Sequence, residues 1–134
     1  MLPDIDILSL ADIDFNQNIP EPYNTFRENA FVKADTINKY AHKNVFADDS
    51  GICVDALGGA PGVFSARYAG EHPTDDDNLN LLVNNMQGVE NRKAHYAAVI
   101  CLIWNDKAYY FEGICNGTLL KEPRGTGGFG STGV

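Results

Sequence analysis

The chain has 134 residues, 44% apolar and 21% charged, with a formal net charge of −8, proportions ordinary for one folded domain. That acidity argues against a nucleic-acid polyanion as partner, because phosphate contacts need clustered Lys and Arg; a small triphosphate escorted by its own cation is compatible with it. No basic-then-apolar leader opens the sequence, and no apolar run approaches the roughly 18–20 residues of a membrane span. Cys53, Cys101 and Cys115 lie far apart in apolar surroundings with no Cys-x-x-Cys. They are expected as free, buried thiols in a reducing compartment, the cytoplasm.

In chain order, Ile5, Ile7, Leu8 and Leu10 predict a short strand and a following turn, punctuated by Asp4, Asp6, Asp12 and Asp14. Pro20 and Pro22 break the next stretch into a loop. Thr25-x-x-Glu28 is a capping box, and Phe26, Ala30, Ala34, Ile37 and Ala41 continue at helical spacing to about His42. Asn29, Lys33 and Tyr40 fall on a neighbouring face. From pattern alone Glu28 is the cap and Lys33 a solvated surface lysine.

Val45-Phe46-Ala47 reads as the end of a buried strand, from which Asp48 and Asp49 emerge at the C-terminal edge. Neighbouring side chains on a strand point to opposite faces, so the two carboxylates share one site only if the backbone turns. Ser50-Gly51 permits that turn. Open α/β sheets bind ligands at such edges, and paired carboxylates suit a hard divalent cation. The plainer alternative is a connecting turn with solvated or capping acids. Gly58-Gly59-Ala60-Pro61-Gly62 is tight-turn chemistry; with no Gly-Lys-Ser/Thr after it, it is not a phosphate loop. Residues 65–68 suggest a helical turn, whose Arg67 suits either a phosphate or a carboxylate.

Thr74 is placed to N-cap a second helix with Asp75, Asp76 and Asp77 in its first turn, where acids oppose the positive helix end. Leu79, Leu82, Val83 and Met86 form its apolar stripe, and Gly88 ends it. The triple Asp is read as that charged turn rather than a metal cluster. Lys93–Trp104 and Lys107–Cys115 then read as a β-hairpin about Asn105-Asp106, with His95 structural and Thr118-Leu119-Leu120 continuing the sheet. The glycine-rich close, residues 124–130, lets backbone approach a ligand, and Phe129 offers a flat ring; as a lone tail it would be plain disorder.

The stretch Ala-Asp-Asp-Ser-Gly (47–51), Val-Asp-Ala-Leu-Gly-Gly-Ala-Pro-Gly-Val (54–63) and Ser-Ala-Arg-Tyr-Ala-Gly (65–70) closely resembles the central motif of the inosine triphosphate pyrophosphatase family. Glu-x-x-x-Thr-Phe-x-Glu-Asn-Ala-x-x-Lys-Ala (21–34) resembles that family's preceding loop and helix, with Pro22-Tyr23 where most members carry Thr-Gly. The resemblance implies an α/β fold, a mixed twisted sheet flanked by helices with an open nucleotide-binding groove. It implies hydrolysis of ITP, dITP and XTP to the monophosphate and pyrophosphate, with Mg²⁺ as cofactor. Glu21 and Asp49, helped by Asp48, would bind the metal, and Asp49 would be the catalytic base. Lys33 and Ser50 would contact substrate, and Phe129 would stack on the purine beside Gly130. Partners implied are the small nucleotide and a second copy in a homodimer, with neither nucleic acid nor membrane. By the same comparison residues 1–134 form a single partial domain. A leading strand–loop–helix with Thr-x-Asn-x-x-Lys, and a C-terminal segment with Ser-His-Arg, would be missing. The alternative is a catalytically impaired remnant that serves only to bind nucleotide or to dimerise.

Overall fold

The computed structural model describes residues 5–71 and 73–120. Helix α1 spans Phe26–Ala41. Thr25 caps it from an extended backbone: its hydroxyl accepts the Glu28 N–H at 3.2 Å and donates to the Glu28 carboxylate at 2.9 Å. The predicted capping pair is therefore present, closed through the hydroxyl. His42 ends the helix in the left-handed region (φ 55°), its N–H returning to the Asn38 carbonyl at 2.8 Å. Helix α2, Asp75–Asn85, carries a full capping box between Thr74 and Asp77 and stops short of Gly88.

Strands β1 (Val45–Val54), β2 (Lys93–Trp104) and β3 (Lys107–Thr118) form one sheet in the order β1-β2-β3. Asn105 (φ 49°) and Asp106 (φ 66°) make the two-residue hairpin turn, whose paired positive φ values match the right-handed twist of the flanking strands. The α/β class stands, but every pairing among the described strands is antiparallel where a mixed sheet was expected. The reason lies in the connections. A two-residue turn permits only antiparallel pairing. Between β1 and β2 the chain doubles back, with Pro61 bridging Cys53, and re-enters where β1 ends, so that Ala94 pairs with Val54.

A second difference concerns the acidic motif. Asp48-Asp49-Ser50-Gly51 is not a turn at a strand's end; it lies in the middle of β1, in unbroken register from Val45↔Ile103 to Val54↔Ala94. Val45–Ala47 begins the strand instead of ending it. Gly51 serves close approach: a Cβ there would sit 2.3 Å from the Gly62 carbonyl oxygen and 2.5 Å from Ser65 Oγ. Ser65 donates to that same carbonyl at 2.7 Å and accepts the Ile52 N–H at 3.0 Å, tying the 3-10 segment Gly62–Arg67 to the strand.

The pleat sorts the core onto two faces. On one, Ala30 and Ala34 of α1 pack on Val99, Cys101 and Ile103; their small side chains let the helix come close. On the other, Leu79, Leu82 and Met86 of α2 pack on Ile52, Val54, Ala94 and Leu119. Of the short strand and following turn expected from Ile5 to Leu10, only the turn forms among the described residues: residues 5–9 have no regular structure and residues 10–14 form a turn. Cys53 and Cys101 are buried and free as expected, whereas Cys115, on outer strand β3, is exposed.

Candidate active site

Asp49 belongs to the β1 face that α1 covers, beside Val99 of β2, and is only 7% exposed. Helix α1 sends Lys33 to it: Lys33 Nζ lies 3.6 Å from Asp49 Oδ1 and 3.2 Å from Glu21 Oε1. Glu21 arrives from the proline-broken loop before α1. Three elements remote in sequence thus place two carboxylates around one ammonium, at a point where Lys33 and Glu21 remain partly open to solvent.

Two clamps hold the loop. Asn29, fully buried in the first turns of α1, accepts the Tyr23 N–H and donates to the Tyr23 carbonyl, both at 3.0 Å. Arg67 Nη2 donates to the Glu21 carbonyl at 3.1 Å while its guanidinium lies over the Phe64 ring. Among the described residues Arg67 pairs with no carboxylate; its guanidinium holds backbone instead. Asn78, in the same position of α2, repeats the device: it accepts the Ala69 N–H and donates to the Ala66 carbonyl, fixing the segment that carries Arg67.

Burial pushes the Asp49 carboxyl up from 3.8 to about 6, with the neighbouring Glu21 carboxylate adding to the rise; Lys33, and then the Asn29 amide, act in the opposite direction. Asp49 Oδ2 is buried and has no hydrogen-bond partner among the described residues. A buried polar atom left so is costly and calls for an explanation such as a ligand. The donor set fits a hard cation, which takes carboxylate oxygens. Among the described residues no group of three or more His, Cys, Asp or Glu could hold a metal unaided. A cation at Glu21 and Asp49 would therefore complete its shell with water and phosphate oxygens, as Mg²⁺ commonly does.

The structure brings Glu21, Lys33 and Asp49 together and leaves two of the expected residues elsewhere. Asp48 is exposed on the opposite face of β1, because without a turn successive side chains diverge. Ser50 shares that face and meets the Tyr96 hydroxyl at 3.0 Å. Phe129 and Gly130 lie outside the described residues. A groove of about 1430 Å³ does open on the molecule, lined by Ile7, Leu10, Ile37, Phe46 and Trp104 among others, but Glu21, Lys33 and Asp49 are not in its wall. Sequence reasoning placed Asn29 on the Lys33 face, four residues away, but assigned it no role.

The sequence model of the Ham1 family matches residues 1–131. A dITP/XTP pyrophosphatase of Flavobacterium psychrophilum is 46% identical over 131 residues, covering 97% of this chain and 69% of that protein. One of Bacillus licheniformis is 49% identical over 129 residues, covering 93% of this chain and 65% of that protein. Among solved structures, the Staphylococcus aureus Ham1 protein superposes with a TM-score of 0.87 at 34% identity, covering 98% of this chain and 69% of that one. The chain thus spans about two thirds of the length of these relatives.

Proposed function

The chain belongs to the Ham1 family, and on that premise we propose that it hydrolyses non-standard purine nucleoside triphosphates (dITP, ITP and XTP) to the monophosphate and pyrophosphate. The relatives named dITP/XTP pyrophosphatase supply the substrate class. The observation that carries the chemistry is the buried Asp49, with an oxygen that has no partner among the described residues, set against Lys33 and Glu21. The alternative of a remnant that only binds nucleotide or dimerises is not favoured, since these relatives carry an enzyme's name and the acidic cluster is assembled.

In the proposed reaction a water oxygen bonds to the α-phosphorus, the bridging bond to the β-phosphate breaks, and pyrophosphate leaves. Asp49 takes the proton of the attacking water. A carboxyl raised to about 6 is ionised at neutral pH yet more basic than an ordinary aspartate, which suits a general base. Lys33 meets phosphate oxygens as a point charge. Glu21 and Asp49 would hold Mg²⁺, which when bound neutralises the phosphates and polarises the α-phosphorus. Asp48, on the far face, is not needed for that set. Ser50 as a substrate contact, and Phe129 and Gly130 around the purine, rest on the resemblance. So do the single domain over residues 1–134, the homodimer and the cytoplasmic location. Among the described residues no helix is long and apolar enough to cross a membrane.

Product analysis tests the reading. With dITP and Mg²⁺ the chain is expected to release pyrophosphate and dIMP, and to discriminate against dATP and dGTP. Release of orthophosphate instead would assign the acids to a different phosphate-ester hydrolysis.

A further inference from the structure

We propose that Asn29 is a positioning residue: its buried side-chain amide, by gripping both polar groups of the Tyr23 backbone, holds the Glu21 carboxylate opposite Asp49. The inference rests on the proposed function, since Glu21 is there a metal ligand.

An asparagine inside a helix costs helix propensity, and burying its amide is costly unless hydrogen-bonded. Asn29 bears both costs at zero exposure. Its amide spends the carbonyl oxygen and one N–H on a single residue, Tyr23, at equal distances of 3.0 Å. Gripping the N–H and C=O of one residue fixes that residue's orientation as well as its distance. Tyr23 stands two residues beyond Glu21, and Pro22 between them has a locked φ. Orientation set at Tyr23 is therefore passed to Glu21 with little slack. Arg67 also holds the Glu21 carbonyl at 3.1 Å, so the backbone leading from Glu21 to Tyr23 is held at two points. Asn29 also lies one helical turn from Lys33, the cation that Glu21 meets at 3.2 Å. A loop carrying Pro20 and Pro22 has no regular structure of its own to aim a side chain, and the amide supplies that aim from the rigid helix.

The test compares the parent chain, Asn29→Leu, Glu21→Gln and the double variant. Asn29→Leu keeps the branched shape, at a larger volume, and removes both hydrogen bonds. Crystal structures give the position of Glu21, and the Mg²⁺ concentration for half-maximal pyrophosphate release gives the metal requirement. Outer partners of metal ligands typically contribute 10–100-fold in metal affinity. Asn29→Leu is therefore expected to swing Glu21 away from Lys33 and to raise the Mg²⁺ requirement at least about tenfold. In the double variant the further loss beyond Glu21→Gln should be smaller than the loss Asn29→Leu causes alone, because part of the amide's effect runs through Glu21 and the rest through its direct action on Asp49. Glu21 unmoved in Asn29→Leu, or losses that multiply in full in the double variant, would overturn the inference. A variant too unstable to crystallise is replaced by Asn29→Asp, which keeps the acceptor for the Tyr23 N–H and loses the donor; it is read by the position of Glu21 alone, because the new carboxylate beside Asp49 adds a cation ligand of its own. A parent chain that releases no pyrophosphate overturns the proposed activity alone; the position of Glu21 in the variant still decides the role of Asn29.

Discussion

Asp49 is held in the fold as a carboxylate the fold does not favour. Its pKa is about 6 in the folded chain against 3.8 as the ordinary value, chiefly because burial penalises the charge. The folded state therefore binds this proton more tightly than the unfolded chain does. The associated stability is fully present below about pH 4 and is lost as pH rises through 6. Asp49→Asn, neutral at every pH, is expected to melt at a higher temperature than the wild type at pH 7.5 without metal, and at nearly the same temperature at pH 4. Adding Mg²⁺ at pH 7.5 should raise the wild-type melting temperature and leave the variant unmoved, since only a ligand bound by the folded state stabilises it. A metal-free variant less stable than wild type at pH 7.5 would show that Asp49 is a structural ion. Lys33 pulls the Asp49 pKa down, so Lys33→Met should move the acid limb of the kcat/KM profile to higher pH. An unmoved limb would detach Lys33 from the base.

At the level of elements, the two helices, their caps and the hairpin were legible because each is written in local chemistry: Thr25 and Thr74 as caps, Asn105-Asp106 as a turn. The acidic motif was misplaced for a physical reason. Ser50-Gly51 looks like a turn to local rules, but Gly51 is there to admit the Gly62 carbonyl and Ser65, a contact with residues beyond the next turn. The strand's pattern gave no correction, because β1 alternates only in its first half and is buried on both faces from Gly51 to Val54. The convergence of Glu21, Lys33 and Asp49 came from the family resemblance; the clamps by Asn29 and Arg67 are tertiary and have no local signature. Gly51→Ala is expected to destabilise by about 1–3 kcal/mol, the usual cost of overpacking, read as a lower urea midpoint with an unchanged slope. A midpoint equal to wild type would mean the 3-10 segment is not seated on β1.

Across the whole molecule, α1 covers β1 and β2 on one face of the sheet and leaves β3 largely open, and α2 covers only part of the other face. Phe46 (61% exposed), Ile100, Tyr109 and Phe111 (57% exposed) lie along the remainder, with Phe46 opposite Leu102, itself paired with Tyr109. Contiguous exposed apolar surface drives association. Sedimentation of the chain is expected to show concentration-dependent self-association that Phe46→Lys with Phe111→Lys abolishes; a monomer at all concentrations would remove the dimer from the proposal. The site stands on the other face, so that double variant should keep its Asp49 chemistry. The most direct measurement of that chemistry is pyrophosphate release from dITP, over a range of Mg²⁺ concentrations, by the wild-type chain and Asp49→Asn. A lost acid–base group typically costs on the order of 10²–10⁴ in rate, so the variant should fall by at least about a hundredfold at every Mg²⁺ concentration while remaining folded. Activity retained within about threefold of wild type, far below that cost, would contradict the assignment of Asp49 as base and metal ligand.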